Sequence, residues 1–282
     1  MNICSLFDGF SGAQLALHKA GIPVTKYYAS EVDEYAITVT QRNFPDTIQL
    51  GDVKDVAGIN FCYHKNRVLV KDDIDLLIGG SPCQGFSFAS KDHLNFDDPR
   101  SSLFFEYVRL LKELKPKWFL LENVKMKMES EKVISDLLGV EPIEINSNLM
   151  SAQNRKRLYW TNIPTKTPID KGIFLKDIIE NGYVDREKSC CIDANYSKGG
   201  NLKSYFEKSR RQLVFSDLTY TKYRKLSVTE CERLQTVPDG YTMGVSNTQR
   251  YKMLGNGFTV DVIAHILRGM VDICNEIKVY YN

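Results

Sequence analysis

Over its first 160 residues this chain alternates short apolar runs with amphipathic segments of helical period, and that alternation admits few architectures. Ile3 to Phe7, Lys26 to Ser30, Thr47 to Leu50, Ile74 to Gly79 and Trp118 to Leu121 read as strands. Ser11 to Ala20, Asp33 to Phe44 and the stripe Leu103, Phe104, Tyr107, Val108, Leu111 and Leu114 read as helices, the first two closed by Gly21 and Pro45. Strands joined through helices run parallel with right-handed crossovers, which predicts an α/β fold with a doubly wound, mostly parallel sheet. Ligands of such a sheet bind beyond the carboxyl ends of its strands. The polar residues of this chain collect at those ends.

The first strand runs into Phe7-Asp8-Gly9-Phe10-Ser11-Gly12, whose glycines allow a tight turn into the helix. The second is followed by Glu31, 22 residues after Gly9, and the third by Asp52 in a Gly-Asp-Val triplet. An acid after the second strand is where a nucleotide-binding sheet grips ribose hydroxyls, and Asp52 is placed to accept from an adenine amino group. The turn is not GxGxxG, and the Asp8 carboxylate would repel a pyrophosphate. S-adenosylmethionine carries no phosphate; its ammonium and sulfonium suit an acidic site, and Phe7 could stack on its adenine. Asp8 as a helix-capping residue is the competing reading.

The fourth strand leads into GGSPCQGFS, residues 79 to 87, where Pro82 stiffens the backbone just before Cys83. A free cysteine is commonly a small, inert hydrophobe. At a strand end between glycines, Cys83 reads instead as a nucleophile. Glu122-Asn123-Val124 follows the fifth strand, and a carboxylate in that poorly solvated position has a raised pKa and donates a proton near neutral pH. Pairing of Glu122 with Lys125 or Lys127 is the alternative. Further on, Gln153, Arg155 and Arg157 alternate, so an extended segment turns all three to one side. Two guanidiniums at one site require an anion or a carbonyl oxygen; an ordinary surface strand is the other possibility.

Beyond Trp160 the alternation fades. From Thr161 to Lys225 there are 13 Lys plus Arg against 8 Asp plus Glu, an excess of +5, whereas the rest of the chain carries 24 against 27. Tyr196 to Arg211 is the most basic run, with Lys198, Lys203, Lys208, Arg210 and Arg211 interleaved with Tyr196, Tyr205 and Phe206. Such a run suits a phosphate backbone, although charge alone favours the simpler reading of a solvated charged loop. Helical order returns at Ser227, which with the glutamates of SVTECERLQ forms a capping signal, and a last helix covers Val260 to Ile277. Seven cysteines without paired metal-ligand spacing, in odd number, point to no metal and to a reducing cytoplasm. Neither a secretion signal nor an apolar run near 18 residues is found, so no membrane span is expected.

FDGFSG, SEVDEYA, GDV, GGSPCQGFS, ENV, QNRKRLYW, LSVTECERLQTVPDGYT and KMLGNGFTVDVIAHIL, in this order over residues 5 to 267, resemble the motif series of the DNA cytosine-5 methyltransferases. The resemblance implies a thiolate at Cys83 that adds to C6 of cytosine, Glu122 protonating or hydrogen-bonding N3, Arg157 on O2 with Arg155 in support, and Asn123 ordering the Cys83 loop. Sulfur addition breaks the aromatic system and makes C5 an enamine carbon able to take a methyl group; removal of the C5 proton then expels the cysteine. The base must be flipped out of the duplex to be reached. Phe7, Asp8, Gly9, Gly12, Glu31, Val32, Asp52, Val53, Pro82, Leu103 and Asn256 fall where S-adenosylmethionine is contacted. Residues 1–164 and 226–282 then form a catalytic domain and 165–225 a small target-recognition region for double-stranded DNA. The short insert is similar to those of compact bacterial or phage enzymes, cytoplasmic proteins that a restriction endonuclease can accompany. The Cys-Phe-Thr tripeptide of the related tRNA methyltransferases is absent, and FDGFSG stands where FAGxGG is commoner.

Overall fold

The computed structural model describes residues 1–58, 67–82 and 102–280, with backbone alone for Ser102 and for 272–280. Its strands are β1 (Asn2–Leu6), β2 (Lys26–Ser30), β3 (Ile48–Gln49), β4 (Val56–Gly58), β5 (Val68–Val70), β6 (Leu76–Gly79), β7 (Trp118–Val124), β8 (Ile143–Asn146), β9 (Lys156–Thr161), β10 (Leu213–Phe215) and β11 (Tyr223–Lys225). Seven of them make one sheet in the order β3-β2-β1-β6-β7-β9-β8. Pairing is parallel from β3 to β7 and antiparallel where β9 joins β7 and β8. Strand order reverses at β1, between β2 and β6, and this opens a crevice at their carboxyl ends.

Helices cover both faces, so the central strands are apolar on both sides. Ile3, Leu76, Ile78 and Leu120 pack on one side with α1 (Gly12–Lys19) and α9 (Val260–Tyr280). Their neighbours Cys4, Leu77, Phe119 and Leu121 pack on the other with Phe104 and Tyr107 of α3 (Ser102–Leu114) and Ile134 of α4 (Met128–Leu138). The alternation is the period-two side-chain rule at work. α2 (Glu34–Asn43) starts at Asp33, whose carboxylate accepts from Tyr35 N, and ends before Pro45 as expected.

Three differences from the sequence reading have physical causes. β7 continues through Glu122, Asn123 and Val124 because β9 pairs antiparallel along its end, so these residues lie inside the strand and not after it. β4 and β5 form a separate two-stranded parallel ladder, too short to leave a periodic signal. In the basic run, Tyr196 and Tyr205 are buried: Tyr205 forms a small core with Leu213 and Phe215 of the β10–β11 hairpin. Tyr196 instead joins the main core beside Tyr251, so neither aromatic is part of the exposed surface of the 165–225 segment. Lys203, Phe206, Lys208 and Arg210 are exposed, on or just beyond α6 (Leu202–Lys208). The short α5 (Leu175–Ile178) lies earlier in the same region.

At the start of α7 (Val228–Leu234) the Ser227 hydroxyl accepts from Glu230 N at 3.1 Å and Glu230 Oε2 accepts from Ser227 N at 2.7 Å. Glu230 is fully buried and also accepts from Arg224 Nη1 and Nη2 and from Glu180 N, each at 2.8 Å. One carboxylate therefore ties β11 and residue 180 to the start of α7. Ser227→Ala removes a single cap bond and should lower stability in urea unfolding by about 1 kcal/mol. Glu230→Ala strips Arg224 of its partner and should cost about 2–3 kcal/mol, held down because solvent reaches Arg224. Equal losses for the two variants would contradict this account.

Candidate active site

A cavity of about 450 Å³ lies over the crevice where strand order reverses. The turn after β1 builds one wall with an unusual backbone: Phe7, Gly9 and Ser11 have φ of 57°, 59° and 60°. The left-handed region is costly for Phe7 and Ser11, and such strain persists only where the surroundings fix it. Here Glu31 does much of the fixing. Its Oε2 accepts from Gly9 N at 2.7 Å, while Oε1 accepts from Val32 N at 2.8 Å and Asp33 N at 2.9 Å. Asp52 caps a short 3-10 turn through Lys54 N at 3.0 Å.

Asp8 is not the cap of α1; that position belongs to Ser11. Its side chain is 5% exposed, Oδ1 accepts from Tyr27 Oη at 2.7 Å, and Oδ2 is buried without a well-formed hydrogen bond. Burial pushes the carboxyl up to about 6; the hydroxyls of Ser5, Tyr27 and Ser11 counter part of that rise and the charge of Glu31 adds to it. An orphaned carboxylate oxygen on a cavity wall fits a cation. Phe7, Asp8, Gly9, Gly12, Glu31, Val32, Asp52, Val53, Pro82, Leu103 and Asn256 all line the cavity.

Glu122, Asn123, Arg155 and Arg157 line the same cavity from its other side. Glu122 is buried, with Oε1 3.1 Å from Arg157 Nε. Burial raises its pKa and outweighs the lowering by Arg157 and Arg155. Lys125, the alternative partner weighed from sequence, pairs instead with Glu144. The other oxygen of Glu122 lies over Gly80, where a Cβ would come within 3.2 Å of Oε2 and 3.0 Å of the Phe258 ring. Only glycine fits there without displacing the acid. Asn123 Nδ2 donates to Ser81 Oγ at 3.1 Å and its Oδ1 accepts from Val124 N at 2.8 Å, which fastens the segment before Pro82 to β7. Cys83 lies outside the described residues; Pro82, its predecessor, is on the cavity wall.

The alternating triplet divides its labour. Arg155 is 2% exposed and its guanidinium donates to Ile192 O at 3.1 Å, Gly255 O at 3.1 Å, Gly257 O at 2.9 Å and Cys191 Sγ at 3.2 Å. The carbonyl oxygens that the sequence reading required for the arginines thus belong, for Arg155, to the protein itself. Gln153 is fully buried, away from the cavity, donating to Leu234 O at 2.8 Å and Gln235 Oε1 at 2.9 Å. Of the three, Arg157 is the one beside the acid. Sequence reasoning missed Ser81, Phe258 and Gln235. Their signals lay in SPCQ, NGFTV and RLQTV, read there as motifs without individual roles. Among the described residues no group of His, Cys, Asp and Glu is arranged to hold a metal, and no helix is long and apolar enough to cross a membrane.

Comparison with known proteins bears on this arrangement. A type II methyltransferase of Lactococcus lactis subsp. cremoris, M1.ScrFI, is 29% identical over 97% of this chain and 78% of its own length. M.HhaI of Haemophilus parahaemolyticus, also a type II methyltransferase, is 26% identical over 94% of this chain and 93% of its own. The solved structure of the Entamoeba histolytica methyltransferase EhMeth shares the fold, with a TM-score of 0.73 at 17% identity, over 97% of this chain and 98% of that one. The model of the C-5 cytosine-specific DNA methylase family matches residues 1–166 and 127–272, and with nearly the whole chain so covered the protein belongs to that family.

Proposed function

We propose that this cavity is where the enzyme, an S-adenosylmethionine-dependent DNA cytosine-5 methyltransferase, brings cofactor and cytosine together. The observation that carries the reading is the division of one cavity into an acidic end, with Asp8, Glu31 and Asp52, and an end where buried Glu122 faces Arg157. S-adenosylmethionine supplies the methyl group. Asp8 Oδ2, lacking a partner, is the acceptor for its ammonium; Glu31, while holding Gly9 N, offers its carboxylate to the ribose, and Phe7, Val32, Val53 and Leu103 enclose the adenosyl part.

The chain's own residues act on the base. Cys83 adds its sulfur to C6, which moves electrons onto C5. Glu122, its pKa raised by burial, hydrogen-bonds or protonates N3 and so accepts the negative charge that this addition creates. Arg157 binds O2 from beside Glu122. Arg155, both terminal nitrogens of which are held by the protein, is a positioning residue for the wall that includes Gly255 and Gly257. The segment 165–225 reads the target, with Lys203, Lys208 and Arg210 on phosphates. Double-stranded DNA as substrate and the free thiols Cys4, Cys190, Cys191 and Cys231 favour the cytoplasm. The designation of the relatives as type II methyltransferases favours a companion restriction endonuclease.

Cys83→Ala should abolish transfer of tritiated methyl to DNA and leave cofactor binding intact, and wild-type enzyme should form a denaturation-resistant adduct with DNA containing 5-fluorocytosine. Turnover by the variant, or no shifted band in a denaturing gel, would remove Cys83 from the mechanism.

Asp8 supplies a pH test. Its folded pKa of about 6 lies above the ordinary 3.8, so its contribution to stability without cofactor is present below pH 3.8 and is lost as pH rises through about 6. Asp8→Asn should therefore melt at or above wild type at pH 7.5, by about 3 kcal/mol at most. Calorimetry should show cofactor affinity of the wild type falling as pH drops through about 6, and the variant binding weakly at every pH. A pH-independent wild type would detach Asp8 from the ammonium.

A further inference from the structure

The cavity wall at Asp52 and Val53 stands apart from the seven-stranded sheet. β3 ends at Gln49, and among the described residues the next strand, β4, pairs only with β5. The main ladder therefore does not fix the segment that follows β3; α3 does. Val53 and Val56 pack in one core with Phe104, Tyr107 and Val108. Apolar contact is non-directional, so it sets how close the segment lies but not which way its backbone turns. Arg109 supplies the direction. Its Nη2 donates to Val53 O at 3.1 Å and Val56 O at 2.9 Å, at the carboxyl end of the 3-10 turn, where a cation is favoured. Nε and Nη1 donate to Glu106 and Glu113, each at 2.8 Å, so the guanidinium is itself held from both sides along the helix. Leu103, in the first turn of α3, lines the same cavity as Asp52 and Val53.

We infer that Arg109, which does not itself line the cavity, is a positioning residue for the adenosyl end of the cofactor, orienting the Asp52–Val53 wall on the helix that carries Leu103. The inference rests on the cofactor reading above. Val53 and Leu103 are two of the groups that enclose the adenosyl part there, and Arg109 joins the elements that bear them. A guanidinium does this with three nitrogens at once. A lysine at 109 has one nitrogen, and the glutamates three residues before and four after it are the charged partners that would hold it. The carbonyls of Val53 and Val56 would then lose their donor. Lysine thus separates the two roles of Arg109, charge pairing along α3 and orientation of the wall.

Calorimetry on the full chain with two probes tests this: S-adenosylmethionine, and 5′-methylthioadenosine, which keeps the adenosyl part and lacks the amino-acid part. Arg109→Lys should weaken both by the same factor, about tenfold, the worth of one charge-assisted hydrogen bond. In transfer of tritiated methyl the loss should appear as a raised KM for S-adenosylmethionine, with kcat at saturating cofactor and KM for DNA as in wild type. Arg109→Met, which also strips Glu106 and Glu113 of their partner, should bind the probes no better than Arg109→Lys and melt at a lower temperature. If Arg109→Met does not fold, Arg109→Lys decides alone. Wild-type affinity of Arg109→Lys for both probes, a loss confined to S-adenosylmethionine, a parallel fall in kcat and DNA affinity, or failure of both variants to fold would overturn the positioning role alone. A wild-type protein that binds neither probe would overturn the cofactor reading and this inference with it.

Discussion

A guanidinium removed from water has to be satisfied by the protein around it, and Arg155 shows how much architecture that demand can organise. Its acceptors lie on two stretches far apart in sequence, 191–192 and 255–257. The first lies within the 165–225 segment and the second ends α8 (Asn247–Asn256). Burying a charge without such partners costs several kcal/mol, so the three segments are bound to one another by the arginine's need. Gln153 and Gln235 extend the tie: Gln235 Nε2 donates to Leu254 O at 2.6 Å and its oxygen accepts from both Gln153 and Thr259. The cavity wall at 255–257 is thus held to the middle of the chain by polar groups with almost no exposure.

The parts of this protein that were legible from sequence are those decided locally. β2 falls on the residues predicted, Pro45 stops α2 one turn after Thr40, and the Ser227 cap is formed by the very side chains that signalled it. Residues that line the cavity could be named because parallel strands put their carboxyl ends together whatever the loops do. What escaped were pairings between distant segments. Nothing near Glu122 in sequence announces that β9 will run beside it, and the partner of Glu122 is accordingly Arg157, 35 positions later, and not a neighbouring lysine. Tyr196 and Tyr205 misled for the same reason: an aromatic among lysines looks exposed until the distant residues that cover it are known, Tyr251 of α8 for the first, Leu213 and Phe215 for the second.

Glu31 shows a different limit. An acid after the second strand is a fair pointer to a ribose, and it lines the cavity. Its carboxylate nevertheless takes three backbone N–H groups, one of them from the strained turn at Gly9. A residue of this kind shapes the binding wall and presents charge to it at once. Sequence reveals the charge; only the folded chain reveals the scaffolding.

The antiparallel register of β7 and β9 has a consequence for how such a chain can change. Glu122 sits opposite Tyr159 and Val124 opposite Arg157, so acid and guanidinium are diagonal neighbours on one face. Side chains alternate faces along a strand, and a single-residue insertion or deletion between Lys156 and Arg157 and the rest of β9 would send the guanidinium through to the opposite side of the sheet. Between Val124 and Lys156, by contrast, the chain makes α4 and β8, and length there can grow or shrink without altering which face either group occupies. The two halves of the chemical pair are thus insulated from drift in the 31 residues that separate the strands, and are vulnerable only within the ladder itself.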